Sequence, residues 1–191
     1  MQVHRRLIAV LATVALLTLT PAAQAALDDT SISLLAGTLD YTTPFTADNF
    51  PATSLTGLPQ AVHATVNPWV VTDSRGSLIA GWNMTISATQ FTTGGGSPNT
   101  LPAGSMTMAT TPVPSTTFGN ISLPPTPVAA AAALDGGAAQ KIATSAIAQG
   151  LGRWTFTPVN LLGGDLTLNV PASAAAGTYT STITTTLATG P

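Results

Sequence analysis

The stretch "GWNMTISATQF", residues 81–91, alternates between apolar and polar side chains without interruption through its centre. One face holds Trp82, Met84, Ile86 and Ala88, and the other holds Asn83, Thr85, Ser87 and Thr89. Side chains of a strand point alternately to its two faces, whereas a helix repeats about every 3.6 residues. The stretch therefore predicts a half-buried β-strand with a core on one side of its sheet.

Similar short segments recur along the chain, rich in Thr, Val and Ile and separated by Gly, Pro, Asn and Asp. The predicted strands are "SISLLAG", "LDYTT", "AVHATV", "PWVVTDSRG", "SMTMATTPV", "GRWTFTPVN", "GGDLTLNVPA" and "GTYTSTITTTLATGP". Many short strands with turns between them and no convincing helix indicate an all-β fold. We expect an antiparallel β-sandwich of the Ig-like or Greek-key type.

The alanine-rich segment 128–152 is the one place where a helix is plausible by propensity. Asp135, Gly136 and Gly137 interrupt it, and "QKIATSAI" is compatible with a strand. We therefore predict two weak edge strands around a turn in this segment.

Residues 1–25 have the layout of a secretory signal peptide. A basic start precedes an apolar run, and the small-residue triplet Ala23-Gln24-Ala25 ends the segment. We expect cleavage after Ala25, which leaves residues 26–191 as one exported domain without a membrane span. Since the chain contains no cysteine, this domain must be stabilised by its core without disulfides.

The charge of residues 26–191 is sparse and acidic. The only cations are Arg75, Lys141 and Arg153, against seven aspartates and no glutamate. Such a chain has no basic patch to neutralise phosphates, so we expect neither nucleic acid nor an anionic membrane surface as a partner. Its polar surface must be formed mainly by Thr, Ser, Asn and Gln.

Catalytic and metal sites are not predicted. His63 is the single histidine after the signal segment, and no serine lies in a nucleophile-elbow sequence. Asp73, Asp135 and Asp165 lie in turn sequences, where aspartate commonly bonds its own backbone. No run of acidic residues resembles a calcium loop. We expect a protein that is not an enzyme and needs no cofactor.

The aromatic side chains are the remaining candidates for binding. Large aromatic residues at inward strand positions usually form the core, but an exposed ring can stack on a sugar. Trp82 and Trp154 each begin an alternating apolar face, which favours the core for both. Trp69 follows Pro68 near a strand start, so we expect it to be the more exposed ring.

Two motifs give the chain a resemblance to the WxL-domain proteins of Gram-positive bacterial surfaces. That family has a Trp-x-Leu motif, which Trp82-Asn83-Met84 resembles with Met in place of Leu. Its C-terminal motif resembles "YTSTITTTLATGP", residues 179–191. In that stretch Tyr179, Ile183, Thr184, Leu187 and Pro191 match the motif, and Thr185 stands where the family has a second Trp.

The resemblance implies a non-catalytic, extracellular protein that attaches non-covalently to the cell wall, with peptidoglycan as the ligand. The candidate wall-binding residues are Trp82, Met84, Tyr179, Trp69 and Trp154. One alternative is a structural or adhesive subunit that binds other surface proteins through exposed strand edges. A secreted hydrolase that uses His63 is a third hypothesis, for which the sequence suggests no activity.

Overall fold

The computed structural model describes residues 31–108, 111–116, 122–130, 133–159 and 164–190. The predicted signal peptide lies outside these residues. The chain divides into two compact units, Met1–Ser33 and Leu34–Pro191. Of the first unit, only 31–33 are described, and these residues are exposed and belong to no strand. The second unit contains all of the strands reported below.

The described residues form strands and no helix, which confirms the all-β prediction. The strands are β1 (Leu39–Thr43), β2 (Thr46–Ala47), β3 (Gln60–Ala64), β4 (Val66–Asn67), β5 (Trp69–Asp73), β6 (Trp82–Ala88), β7 (Thr92–Thr93), β8 (Met106–Met108), β9 (Val113–Thr116), β10 (Thr126–Pro127), β11 (Gln140–Ser145), β12 (Gly152–Thr157), β13 (Leu166–Val170), β14 (Tyr179–Thr180) and β15 (Ile183–Thr189). Since helices are missing from this part of the chain, it has no helical segment that could cross a membrane.

The strands pair antiparallel in five sheets. Two sheets have four strands, in the orders β1-β5-β12-β9 and β10-β11-β6-β15. A third has the order β3-β13-β8, and two short sheets pair β14 with β7 and β2 with β4. Most neighbours are distant in sequence, so the connections cross between sheets.

Strand β6 has the alternation that its sequence predicts. Trp82, Met84 and Ile86 are buried, whereas Asn83 and Thr85 on the other face are half-buried. A strand inside a sheet buries its apolar face against the core, and the polar face remains near solvent. The period-two pattern therefore located both the strand and its inward face.

Segment 128–152 differs from the prediction of two weak edge strands. Its long strand, β11, lies inside a sheet, between β10 and β6, and buries Ile142 and Ala143. Leu134, in the preceding loop, is also buried and binds the backbone of Met106. Strand β11 is hydrogen-bonded along both of its edges, to β10 and to β6, and these long-range pairs set its place in the sheet. The weak local pattern therefore did not mean an edge position.

Two aspartates that were predicted to bond locally in turns instead bind backbone amides far along the chain. The carboxylate of Asp135 accepts the N–H groups of Ser105 and Met106, at 3.1 and 3.0 Å. Asp165 accepts the N–H of Val66 at 2.8 Å. Both aspartates are buried, and their carboxylates satisfy buried backbone N–H groups. They connect loops to β8 and β4.

Asp73 does bond locally, and it also forms the ion pair that closes one end of the sheets. The buried Asp73 carboxylate accepts two parallel bonds from Arg75, from Nε at 2.9 Å and from Nη2 at 2.8 Å. The same Nη2 donates to the carbonyl of Gly81 at 3.1 Å, and Nη1 donates to Thr189 Oγ1 at 3.3 Å. The guanidinium therefore joins β5 to the start of β6 and the end of β15.

Candidate functional site

The four predicted candidates other than Tyr179 are buried. Trp69, Trp82 and Met84 have no exposed surface, and Trp154 is 3% exposed. The core position expected for Trp82 and Trp154 is confirmed, whereas the greater exposure expected for Trp69 is wrong. A ring can stack on a sugar only if one of its faces is accessible. In this conformation none of the three tryptophans offers such a face.

The burial of Trp69 results from aromatic neighbours that its own sequence context does not show. Phe156 stacks on it with ring centroids 5.5 Å apart and planes 7° from parallel. Phe45 covers it at 5.2 Å, tilted by 59°. Phe156 also meets Trp82 edge to face at 6.2 Å. A continuous row of four rings thus runs from Trp82 through the core to Phe45.

The indole nitrogens differ in their hydrogen bonding. Trp82 Nε1 donates to the carbonyl of Gly150 at 3.3 Å, and Trp154 Nε1 donates to that of Leu151 at 3.0 Å. Trp69 Nε1 is buried and has no partner among the described residues. The first two rings are therefore oriented by the same short segment of backbone before β12, whereas packing alone orients Trp69.

Tyr179 is half-buried and lines a cleft of about 840 Å³. Its hydroxyl donates to the carbonyl of Ala175 at 3.0 Å, and its backbone pairs with Thr93 in the β14–β7 sheet. The cleft size is in the range of roughly 300–1,000 Å³ that is typical of small-molecule sites. Among the predicted residues, Tyr179 is thus the one at a place where a ligand can bind.

The cleft has an apolar floor and two walls from distant parts of the chain. The floor is buried and consists of Phe91, Met106, Leu166 and Leu168. One wall is residues 45–53, and the other is formed by residues of segment 177–185. Neither floor nor first wall belongs to the sequence motifs. Phe45 and Phe50 are the signal that sequence reasoning missed, because apolar residues outside a periodic pattern do not indicate a site.

Backbone and ring contacts hold the first wall against the sheets. The pairing of β2 with β4 fixes its beginning, and the N–H of Asp48 donates to the carbonyl of Thr65 at 2.9 Å. Phe50 packs edge to face on Phe91, with ring centroids 5.9 Å apart. These contacts fix the wall at both its backbone and its apolar side chains, so the cleft is largely preformed.

The second wall is held by β6, β7 and the turn that follows β6. Thr89 and Thr182 exchange two bonds, from the N–H of Thr182 to Thr89 Oγ1 at 2.8 Å and from the N–H of Thr89 to the Thr182 carbonyl at 3.0 Å. Ile183 and Thr185 follow on β15, opposite Ala88 and Ile86 of β6. The C-terminal motif therefore provides a side of the cleft directly.

Thr185, which stands at the position of the family's second Trp, lines this cleft beside Tyr41 of β1. Burial raises the pKa of Tyr41, and the neighbouring Thr185 side chain opposes that rise. The Tyr41 hydroxyl nevertheless has no hydrogen bond of good geometry within the described residues. The small side chain of Thr185 therefore leaves open space in the cleft, and it does not give the neighbouring Tyr41 hydroxyl a well-formed hydrogen bond.

The cleft is nearly free of charge. Among the residues that the structure places around it, Asp48 is the one ionisable acid, and none is Lys, Arg or His. The exposed rim is formed by hydroxyl and amide side chains, including Thr46, Asn49 and Thr178. A second, more open depression of about 450 Å³, between residues 59–61 and 169–171, has no aromatic lining.

His63 does not face an acid. Its Nδ1 lies 3.1 Å from Thr167 Oγ1 on the neighbouring strand β13, and both residues are half-buried. A catalytic triad requires a histidine placed between a nucleophile and a carboxylate. The described residues also contain no cluster of three or more His, Cys, Asp or Glu side chains that could hold a metal ion.

Comparison with known families matches residues 23–191 of the chain to a family model. The matching family is described as "WxL domain surface cell wall-binding". No curated protein matches the chain, and no solved structure matches it. The matched range contains β6, β15 and all of the residues that form the cleft.

Proposed function

The chain belongs to the WxL family of surface cell-wall-binding domains, and from this premise we propose that it attaches non-covalently to peptidoglycan and catalyses no reaction. A domain of this family is located at the cell surface, associated with the wall. The observation that carries the proposal is the family match over residues 23–191, which covers the whole predicted exported domain.

The charge and the site chemistry support a binding role. His63 pairs with a threonine, and the acids Asp135 and Asp165 are already engaged by backbone amides. General acid–base catalysis requires titratable groups that reach a substrate, usually in a cleft. The cleft described above has one exposed carboxylate, Asp48, and no second acid or base beside it. Its lining suits recognition rather than proton transfer.

Sedimentation with purified Gram-positive cell walls tests the proposal. Residues 26–191 are mixed with the walls, the walls are pelleted, and the bound fraction is measured against a control β-protein of similar acidity. We expect the domain to pellet with the walls and to be released intact by denaturant, because the attachment is non-covalent. A bound fraction no higher than that of the control would refute wall attachment by this domain.

A second function, binding to other surface proteins, is favoured by one observation. Strand β15 lies at the edge of its sheet and has seven residues with neither charge nor proline. Natural edge strands usually carry charges or prolines that discourage pairing with another chain. An unprotected edge suits strand addition by an extended segment of a partner.

A wall-free binding experiment separates the two functions. Sedimentation velocity is measured for the domain mixed with purified surface proteins, with and without Thr186→Lys, which adds a charge on the exposed side of β15. Complex formation by the natural chain that the substitution abolishes would support the protein-binding function. A monomer that binds walls but none of these proteins would count against it.

A further inference from the structure

The cleft between residues 45–53 and 177–185 has the chemistry of a site for an uncharged carbohydrate. Its floor is apolar and its rim is formed largely by hydroxyl and amide groups. We infer that it binds the glycan strand of the wall, through neutral sugars that carry acetamido groups. This inference rests on the proposed wall-binding function, and it names the part of the wall that is recognised.

The charge of the cleft selects among the polymers of a cell wall. Anionic polymers with phosphate groups require cations, and the lining offers none. Asp48, on the exposed rim, repels phosphates and carboxylates, which also disfavours the acidic ends of peptides. A neutral glycan meets no such penalty. To bind such a glycan, the cleft needs apolar groups that contact the sugar rings and polar groups that bond to their substituents.

The rings at the cleft satisfy the first part of that requirement. Phe50 and Tyr179 are half-buried on opposite walls, above a floor that includes Phe91 and Leu168. Sugar rings have apolar C–H faces, and an acetamido group adds a methyl that favours burial against such a floor. Since both walls are held by backbone pairing, little conformational entropy is lost when a ligand binds.

Two rim side chains supply polar groups that are not already used. Asn49 and Thr178 are exposed at the cleft and form no hydrogen bond with any described residue. An amide and a hydroxyl together can donate to and accept from sugar hydroxyls and an acetamido carbonyl. By contrast, Thr180 Oγ1 is directed to the carbonyl of Thr92 at 3.4 Å and is a weaker candidate.

Thr185 provides the sharpest test, because it lines the cleft from the middle of β15. Thr185→Trp introduces the residue that the family has at this position and places a large ring in the space that the sugar is inferred to occupy. The variant therefore tests whether this chain binds sugar through the space that its own Thr185 leaves open. Thr186→Trp is the matched control, since the next residue of a strand points to the opposite face and Thr186 is exposed outside the cleft. Both variants add the same ring to the same strand.

The binding assay is isothermal titration with a β-linked tetramer of N-acetylglucosamine, with the corresponding glucose tetramer as the comparison ligand. We expect the natural chain and Thr186→Trp to bind the acetylated tetramer alike. We expect Thr185→Trp to bind it about tenfold more weakly or not at all. Equal binding by Thr185→Trp, or equal affinity for the glucose tetramer, would overturn the inference.

A second variant covers the case in which Thr185→Trp does not fold. The double substitution Asn49→Ala and Thr178→Ala changes only exposed side chains without hydrogen bonds, so the melting temperature should stay within the range of surface variants. We expect this variant to lose affinity for the acetylated tetramer by about tenfold. An unchanged affinity in a folded double variant would also overturn the cleft assignment.

Wall sedimentation in parallel distinguishes failure of this inference from failure of the proposed function. If the natural chain pellets with walls but does not bind the tetramer, the glycan assignment is wrong and wall attachment stands. If it does not pellet with walls, the proposed function is wrong. Walls stripped of phosphate-containing polymers should retain the domain, and loss of binding to them would show that those polymers are the ligand instead.

Discussion

Met84 lies directly opposite Leu187 in the antiparallel pair of β6 and β15. Trp82 stands opposite Thr189 in the same pair, so the two sequence motifs occupy neighbouring strands although they are far apart along the chain. The side chain of Met84 is fully buried and that of Leu187 is half-buried. The two motifs therefore pack side by side: β6 contributes fully buried core residues, and β15 contributes half-buried residues beside them.

The Met84 position tests the role of the first motif as a core anchor. We expect Met84→Leu, which restores the family residue, to change the free energy of unfolding by less than about 1.5 kcal/mol because the volume is nearly conserved. Met84→Ala should cost about 2–5 kcal/mol through the cavity that it leaves. Urea unfolding measures both, with Thr186→Ala as an exposed control. A Met84→Ala cost as small as that of the control would contradict the anchor role.

Gly150 orients Trp82, and its substitution should be costly for two separable reasons. Its φ is +64°, and an added Cβ would overlap the Ser145 side chain and lie 2.9 Å from Trp82 Nε1. Gly76 has nearly the same φ, +63°, with open space around the Cβ position. Gly76→Ala should therefore cost about 1–2 kcal/mol from backbone strain alone, and Gly150→Ala clearly more. Thermal unfolding of the two variants measures this difference. Equal losses of stability would show that the neighbours of Gly150 shift and relieve the overlap with the added Cβ.

The strand predictions succeeded where one face of a strand meets the core. In β6 the burial alternates from Trp82 to Ile86, and the apolar and polar letters of that stretch alternate in the same way. The burial of Trp69 was not predictable in this way. It depends on Phe45 and Phe156, which reach the ring from a loop and from another strand. A local pattern contains no information about such long-range pairs.

The cleft could not be predicted from the sequence either, because it too depends on contacts between segments that are far apart along the chain. Its first wall, residues 45–53, has only two residues in a strand, and it is positioned by pairing with β4. The prediction for Asp135 and Asp165 was wrong because a turn sequence shows only that a carboxylate can bond to its own local backbone. It does not show distant donors such as the N–H of Val66, from which Asp165 accepts. Tyr179 alone among the predicted site residues lines the cleft, because its motif forms the second wall.

Arg75 should be the cation on which the stability depends most. Its side chain is 16% exposed, and that of its partner Asp73 is not exposed at all. The hydrogen bonds to the Asp73 carboxylate hold the pKa of Arg75 above its ordinary value, so the guanidinium stays charged. We expect Arg75→Ala to cost about 3–5 kcal/mol because it leaves a buried carboxylate without its partner.

Arg75→Lys keeps the charge but loses the two parallel bonds, so an intermediate cost is expected. Arg153, exposed on β12, is the matched control, and Arg153→Ala should remain within about 0.5 kcal/mol of the natural chain. Urea unfolding measures all three variants. If the Arg75 and Arg153 variants are equally stable, the ion pair does not hold the ends of β5, β6 and β15 together.

Tyr41 should make the fold sensitive to alkaline pH. Burial raises its pKa above the ordinary 10.0, and the Thr185 side chain opposes this to a smaller extent. The unfolded chain therefore loses the phenol proton near pH 10, while the folded chain keeps it to higher pH. The stability contributed by the neutral phenol is present below pH 10 and is lost as the pH rises through the folded-state pKa.

Tyr41→Phe should flatten the decline of stability above pH 10, measured by urea unfolding between pH 7 and pH 11. At pH 7 the variant should be at least as stable as the natural chain, because the removed hydroxyl is buried without a hydrogen bond. Tyr179→Phe is the control, since its hydroxyl donates to Ala175 and its loss should cost up to about 1 kcal/mol. An alkaline decline that persists unchanged in Tyr41→Phe would assign the sensitivity to another group.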